Sequence, residues 1–456
     1  MARDTLDDTP IESVDQLAAW MDGGCKPKSD FRIGTEHEKF AFYRDEHTPV
    51  GYEGPRGIRQ LLEGMEALLG WDRIMDGPAI IGLADPTGGG AISLEPGGQF
   101  ELSGAPLDSI HQTCKETHSH LAQLREIADP LGIGFLGLGA SPKWRLKDTP
   151  RMPKSRYDIM TNYMPKVGSL GLDMMYRTST IQVNLDFADE ADMVRKMQVG
   201  IALQPIATAI FANSPFLEGK PNGFLSYRAE VWRHTDPDRT GMIPFVFQPG
   251  FGFETYVEWA VDVPMYFVKR GDTYHDVTGW TFRDFMNGKL DLLPGERPNV
   301  GDWNNHLSTL FPEVRLKRYI EMRGADGGPW RKICALPAFW VGLLYDDESL
   351  SAAADLVADW TGEERQTLRD RVPKEAFDTP FRGGTVHDIA RTVVDLSRKG
   401  LARRGRLNQA GFDETSFLAT IEECLATGET PAQKMLRKYH VEWGGSIEPV
   451  FDEFAY

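Results

Sequence analysis

Four strand-like segments, far apart in the chain, each carry oxygen-bearing side chains on what reads as one strand face. The stretch from Arg32 to Phe42 supplies Glu36 and Glu38, and the stretch from Ser93 to Leu102 supplies Glu95 and Glu101. Thr180 to Asp186 places Gln182, Asn184 and Asp186 on one face, and Arg318 to Arg323 places Glu321 beside Arg323. Alternate side chains of an extended strand share a face. A single such strand is most simply the wet side of an antiparallel sheet. Four of them shift the balance, because the opposite faces read as apolar: Ile33, Phe40 and Phe42; Leu94, Phe100 and Leu102; Ile181, Val183 and Leu185; Ile320 and Met322. The spacing predicts one sheet whose polar faces line a common cavity. Carboxylates crowded there repel one another and lose hydration, and a hard divalent ion such as Mg2+ is their natural counter-charge. Arg323 adds a planar fork suited to a phosphoryl group.

A chain of 456 residues, 41% hydrophobic and 26% charged, has the make-up of a soluble globular protein with a sizeable core. Its net charge of −17 argues against a nucleic-acid partner. The longest apolar run, 199–212, is interrupted by Gln204 and Pro205 and is too short to span a bilayer. The polar N-terminus, Met1 to Asp8, does not read as a leader. Cys25, Cys114, Cys334 and Cys424 are scattered with no Cys-x-x-Cys pair, which points to free thiols in a reducing compartment. The expectation is a cytoplasmic protein with no membrane or nucleic-acid partner, acting as a monomer or homodimer.

Apolar periodicity and caps predict an α+β organisation. Ser13 caps a first helix that ends at Gly23-Gly24, and a second runs 58–69 to Gly70. Strands follow at 79–84, 91–95 and 99–103, then a helix over 107–130 and a glycine-rich strand at 132–139. A short helix at 157–164, a strand at 178–186 and a helix at 190–212 come next. Residues 213–252 read as structured loops, 263–268 as a strand, 280–287 as a helix, and Asp302 as the cap of a helix through Leu310. The Glu321 strand spans 315–322. Beyond Asp346, amphipathic helices are predicted at 349–360, 363–372, 386–399 and 431–439, the last with Thr430 as cap and Pro431 at its first position. Residues 1–345 thus form a catalytic core, and 346–456 a helical region packed on it within the same domain.

Three motifs mislead. Gly132-Ile-Gly-Phe-Leu-Gly137 matches a dinucleotide fingerprint as a string, but it follows a helix and runs into Ser141-Pro142. Cys114 and His118 stand four apart on a helix without further ligands nearby, so a helix surface outweighs a zinc site. Lys143, Arg145, Lys147, Arg151, Lys154 and Arg156 crowd one loop of an acidic chain; a solvated loop and an anion trap are evenly matched readings.

The strings Arg32–Phe42, Leu94–Ser103, Met152–Met160, Asn162–Met175, Thr240–Phe247, Glu321–Trp330 and Cys334–Trp340 resemble the plant-type glutamate–cysteine ligase family, within the superfamily of glutamine-synthetase-like carboxylate–amine ligases. The resemblance implies a curved, mainly antiparallel sheet forming a funnel flanked by helices. It implies the first step of glutathione synthesis, in which ATP, L-glutamate and L-cysteine give γ-glutamylcysteine, ADP and phosphate. By motif, Glu36, Glu38, Glu95, Glu101, Gln182 and Glu321 are implied as ligands of two or three Mg2+ ions. Arg323, Glu38 and Glu321 are implied as catalytic. Lys154, Arg156, Gln182, Asn184 and Arg323 are implied at ATP, and Arg228, Trp232, Arg239 and Tyr266 at the amino-acid site. Disulfide control, a property of plant members, would have only four cysteines to work with. Loops 141–156 and 234–252 are the expected covers. Acidic strands alone also permit a metal-dependent hydrolase of phosphoesters or amides, or a non-catalytic nucleotide-binding regulator.

Overall fold

In the computed structural model, which describes residues 7–456, the Glu36 segment is an eleven-residue strand, β1 (Ile33–Tyr43). The leader reading rests mainly on residues 1–6, outside the described residues. Nine further strands join β1 in one sheet: β2 (Thr48–Pro49), β3 (Asp72–Asp76), β4 (Ala79–Ala84), β5 (Ala91–Leu94), β6 (Gln99–Ser103), β7 (Ile133–Leu136), β8 (Thr180–Leu185), β9 (Val314–Leu316) and β10 (Ile320–Asp326). Their order is β9-β10-β8-β1-β6-β5-β4-β3, with β2 and β7 on the far half of β1. Every pairing is antiparallel. The sheet stays open, and bulges in β10 and between β3 and β4 bend it. Register sets the chemistry: Glu36 lies opposite Gln182, Glu38 opposite Glu101, and Glu321 opposite Asn184.

Helices cover the sheet where its residues are apolar. They begin with α1 (Val14–Asp22), α2 (Ile58–Leu69), α3 (Ile110–Ala128), α4 (Ser155–Val167), α5 (Gly171–Arg177), α6 (Glu190–Ile210) and α7 (Tyr227–Arg233). The Ser13 hydroxyl accepts from the Gln16 N–H to start α1, and Gly70, at φ 67°, ends α2 in the left-handed conformation that glycine tolerates. One apolar cluster joins Ile181, Val183, Leu185 and Met322 to α6 and to helices as late as Val386 and Ala432. A second packs Leu94, Phe100 and Leu102 against Leu61, Leu62 and Leu124.

The face expected of β1 is the exception. Phe40 and Phe42 share parity with Glu36 and Glu38, and they join Leu136, Trp144 and Phe451 in a third cluster. The opposite face holds buried Thr35, His37 and Lys39. There Lys39 Nζ lies 2.9 Å from His37 Nδ1, and the His37 ring centre is 5.6 Å from that of His120 on α3. The cause is a change of partners midway: the first half of β1 lies between β6 and β8, the second against β7 and β2. A single face therefore passes from polar to apolar surroundings.

Four other expectations are corrected. The strand at 315–322 is a hairpin, β9 and β10, which puts Arg315 directly across from Glu321. The strand at 263–268 forms instead at Phe267–Arg270. Asn299, not Asp302, caps its helix, and Asp302 closes the capping box by accepting from the Asn299 N–H at 3.0 Å. The loops of 213–252 contain α7. A helix at Trp330–Leu344 was not anticipated; it is apolar nearly all round, and a buried helix carries no stripe to read. The Gly132–Gly137 string is β7, with no dinucleotide context. Cys114 lies 3.4 Å from His118 and also meets the thiol of Cys334, linking α3 to the 330–344 helix. Among the described residues, no helix is long and apolar enough to cross a membrane.

Candidate active site

The polar faces of β1, β6, β8 and β10 line one cavity of about 880 Å³. Glu36, Glu38, Glu95 and Glu101 form one wall; Arg315, Arg323, Arg228 and Trp232 face it, with Gln182 and Thr180 between. Met160, Met174, Phe267 and Phe311 close the remaining sides.

The carboxylates of the acidic wall are held mainly by neutral donors among the described residues. Asn184 donates to Glu36 at 2.8 Å and the Thr180 N–H to Glu38 at 3.1 Å. Ser93 and Ser103 donate to Glu101, and the Tyr157 hydroxyl reaches Glu95 at 3.3 Å. Burial, with Glu321 and Glu101 nearby, pushes the Glu36 carboxyl up. Burial, with Glu95 and Glu101, pushes Glu38 well up. The buried Oδ1 of Asn184, beside Glu36, has no hydrogen-bond partner among the described residues.

The facing wall is saturated. Arg315 Nη2 donates to both oxygens of Glu321 at 2.8 Å. Arg323 donates to Glu321 as well, and to Gln182 Oε1 at 3.0 Å. Lys317 stands 3.5 Å from Glu321. Burial alone would raise Glu321; Arg315, Lys317 and Arg323 together hold it well below the usual carboxylate range.

A second, open cavity of about 1300 Å³ lies on the other side of Glu36. It is lined by Gly88, Gly89, Gly90, Lys26, Arg32, Asn184 and Tyr319. Glu36 lines both cavities.

Four clustered carboxylates, of which Glu36 and Glu38 are pushed up by burial and mutual repulsion, fit Mg2+ in chemistry. Among the described residues, however, no three His, Cys, Asp or Glu side chains converge as a metal cage. Glu321 and Gln182, expected among the ligands, have their oxygens engaged by arginines. The acidic wall therefore offers donors rather than a preformed site.

Other expected residues divide. Arg156, Arg228, Trp232, Gln182 and Arg323 line the main cavity, whereas Asn184 faces the second. Lys154 is buried behind the wall, its Nζ 3.3 Å from the Tyr157 hydroxyl. Arg239 and Tyr266 do not line the cavity. Arg239, 0% exposed, pairs with Asp236 at 2.6 Å and donates to the carbonyl of Pro264, while its guanidinium sits 3.9 Å over the Tyr266 ring. They brace the interior instead, because Arg239's guanidinium is directed at Asp236, the carbonyls of Thr309 and Pro264 and the Tyr266 ring rather than into the cavity. Of the two expected covers, 141–156 contributes only Arg156 and 234–252 nothing. Within the basic loop, Lys143 pairs with Glu448 and Arg145 with Asp148. Arg315 and Lys317 were overlooked: they too stand two apart, but a single strand over 315–322 hid their cross-strand partnership with Glu321.

Residues 32–453 match the family model described as glutamate-cysteine ligase family 2. The chain is 59% identical over 442 residues to the chloroplastic glutamate–cysteine ligase of Arabidopsis thaliana, covering 97% of this chain and 83% of that one. It is 58% identical over 447 residues to the chloroplastic enzyme of Nicotiana tabacum, covering 98% and 83%. The fold resembles a bifunctional glutathione synthetase from Pasteurella multocida (TM-score 0.54, 13% identity, 96% of this chain, 53% of that one). It also resembles a glutamate–cysteine ligase from Francisella tularensis in complex with AMP (TM-score 0.53, 12% identity, 92% and 86%). These relatives overturn the expectation of a cytoplasmic protein, since the two closely matching enzymes are named as chloroplastic. The family match displaces the hydrolase and regulator alternatives.

Proposed function

Because the chain belongs to the glutamate–cysteine ligase family, whose reaction opens glutathione synthesis, we propose that its carboxylate-lined cavity is where the γ-carboxylate of L-glutamate is activated by ATP and joined to the amine of L-cysteine. The observation that carries this reading is the pair of cavities that share Glu36. The inner one suits amino acids. The outer one, with its run of three glycines, lets a backbone approach phosphates closely. Reactants entering from the two sides meet at the acidic wall.

A carboxylate is a poor acyl donor because its leaving group would be oxide; transfer of the γ-phosphoryl group of ATP makes the leaving group phosphate. Both partners are anionic, so their approach needs positive charge. Glu36, Glu38, Glu95 and Glu101 would hold Mg2+, which when bound supplies that charge. Arg323 contributes its fork to the transferring phosphoryl group, and Arg315, sharing Glu321 with it, holds it in place. Incoming phosphate competes with Glu321 for the same guanidinium donors. Arg228 receives the α-carboxylate of glutamate, with Trp232 one helical turn further on. The cysteine amine then attacks the acyl phosphate, the C–N bond forms and phosphate departs. Met160, Met174, Phe267 and Phe311 keep water from the intermediate. Residues 1–345 and 346–456 act as one domain, since one apolar cluster contains residues of both.

The test is ADP release by purified protein with ATP, Mg2+, glutamate and cysteine, repeated with each omitted. Release that needs glutamate and an amine acceptor supports the reading. Release without either amino acid would defeat it.

A further inference from the structure

Asp326 ends β10, the strand that carries Glu321 and Arg323, and is 2% exposed. Its carboxylate accepts three hydrogen bonds from two distant segments. The Asn213 N–H and the Ser214 hydroxyl donate to Oδ2 at 2.8 and 2.7 Å. The Ser226 hydroxyl donates to Oδ1 at 2.8 Å. Ser226 is the N-cap of α7, accepting from the Ala229 N–H at 3.3 Å. Ser214 Oγ in turn accepts from the Arg228 N–H at 3.1 Å. Arg228 closes the loop by donating to the carbonyl of Arg323 at 3.0 Å. A β-carbon on Gly139 would stand 2.3 Å from Asp326 Cγ, so the carboxylate has no room to turn away.

We infer that Asp326 is a positioning residue: it fixes α7 to the phosphoryl-handling strand, and so sets where Arg228 and Trp232 stand when glutamate binds. Three donors converge on it and none of its neighbours here accepts from it, so a carboxylate suits the position and an amide does not. An asparagine would supply one oxygen and turn an N–H2 group toward donors. The inference rests on the reading of Arg228 as the glutamate clamp.

The test measures KM for glutamate and for ATP in Asp326→Asn, Ser214→Ala and the double variant, beside Arg228→Lys. The expected result is a glutamate KM raised roughly tenfold in each single variant, with ATP KM changed by less than about twofold, because reactant orientation is sensitive to small displacements. The double variant should be no worse than the poorer single one, since both act through one chain. An unchanged glutamate KM, or an ATP KM rising by the same factor, would overturn the inference. If Asp326→Asn fails to fold, Ser214→Ala carries the test. An unchanged glutamate KM in Arg228→Lys would instead remove the clamp reading itself.

Discussion

Two glutamates at the cavity, Glu38 lining the acidic wall and Glu321 behind the arginines that face it, stand in opposite electrostatic states. Glu38, on β1, faces Glu101 across the sheet and other carboxylates beside it, and its carboxyl is pushed well up. Glu321, on β10, is more deeply buried than the half-buried Glu38, yet three cations hold it well down. Burial is common to both, so the neighbours decide. Under the proposed function the first wall attracts a cation and the second presents arginines, and a reaction between two anions needs both.

Glu38→Gln should cost roughly 10²-fold or more in kcat, because the proposed acidic wall would lose a ligand to Mg2+. The same variant should melt higher than the parent without divalent ions, since a repulsion has been removed. Near-normal turnover at limiting Mg2+ would dissolve the distinction between the walls. Glu321→Gln sharpens it in the opposite sense. It should lose turnover comparably and also lose about 3 kcal/mol of stability, because buried cations are left without their partner. Denaturant melts of the two variants side by side should move in opposite directions; movement in the same direction would mean that burial, not neighbours, sets the balance. Arg323→Lys should reduce kcat about tenfold while leaving the fold intact, as a point charge keeps the attraction and loses the fork; steady-state rates check it.

Glu116 on α3 belongs to neither wall and serves as the control. Burial pushes its carboxyl up to about 7, and only the Ala105 N–H, at 2.8 Å, offsets this. With the folded value above the unfolded one, its contribution to stability is fully present at acid pH and is lost as pH rises through about 7. Glu116→Gln should therefore gain about 1–3 kcal/mol over the parent between pH 5 and pH 8.5. Melting curves across that range check it, and a pH-independent difference would contradict it.

Much of the frame was legible in the chain. Strand alternation named Glu36, Glu38, Glu101 and Glu321, and the alternation that put Phe100, Ile181 and Met322 on the far faces holds for β6, β8 and β10. Ser13, Gly70 and Thr430 marked helix ends by local hydrogen bonding alone. The reading failed where a residue's role depends on a partner far along the chain. Phe40 and Phe42 follow β7 rather than their own strand's pattern, and Arg239 meets Tyr266 in the interior rather than a ligand.

The sequence by itself determined which side chains alternate along each strand and where helices start, because those follow from dihedral geometry and neighbours a few residues away. Only the tertiary structure decided which carboxylates share a field and which arginines neutralise one of them. Coulomb and desolvation energies depend on distances across strands, and the register that sets those distances is fixed by packing between strands that only the folded chain brings together.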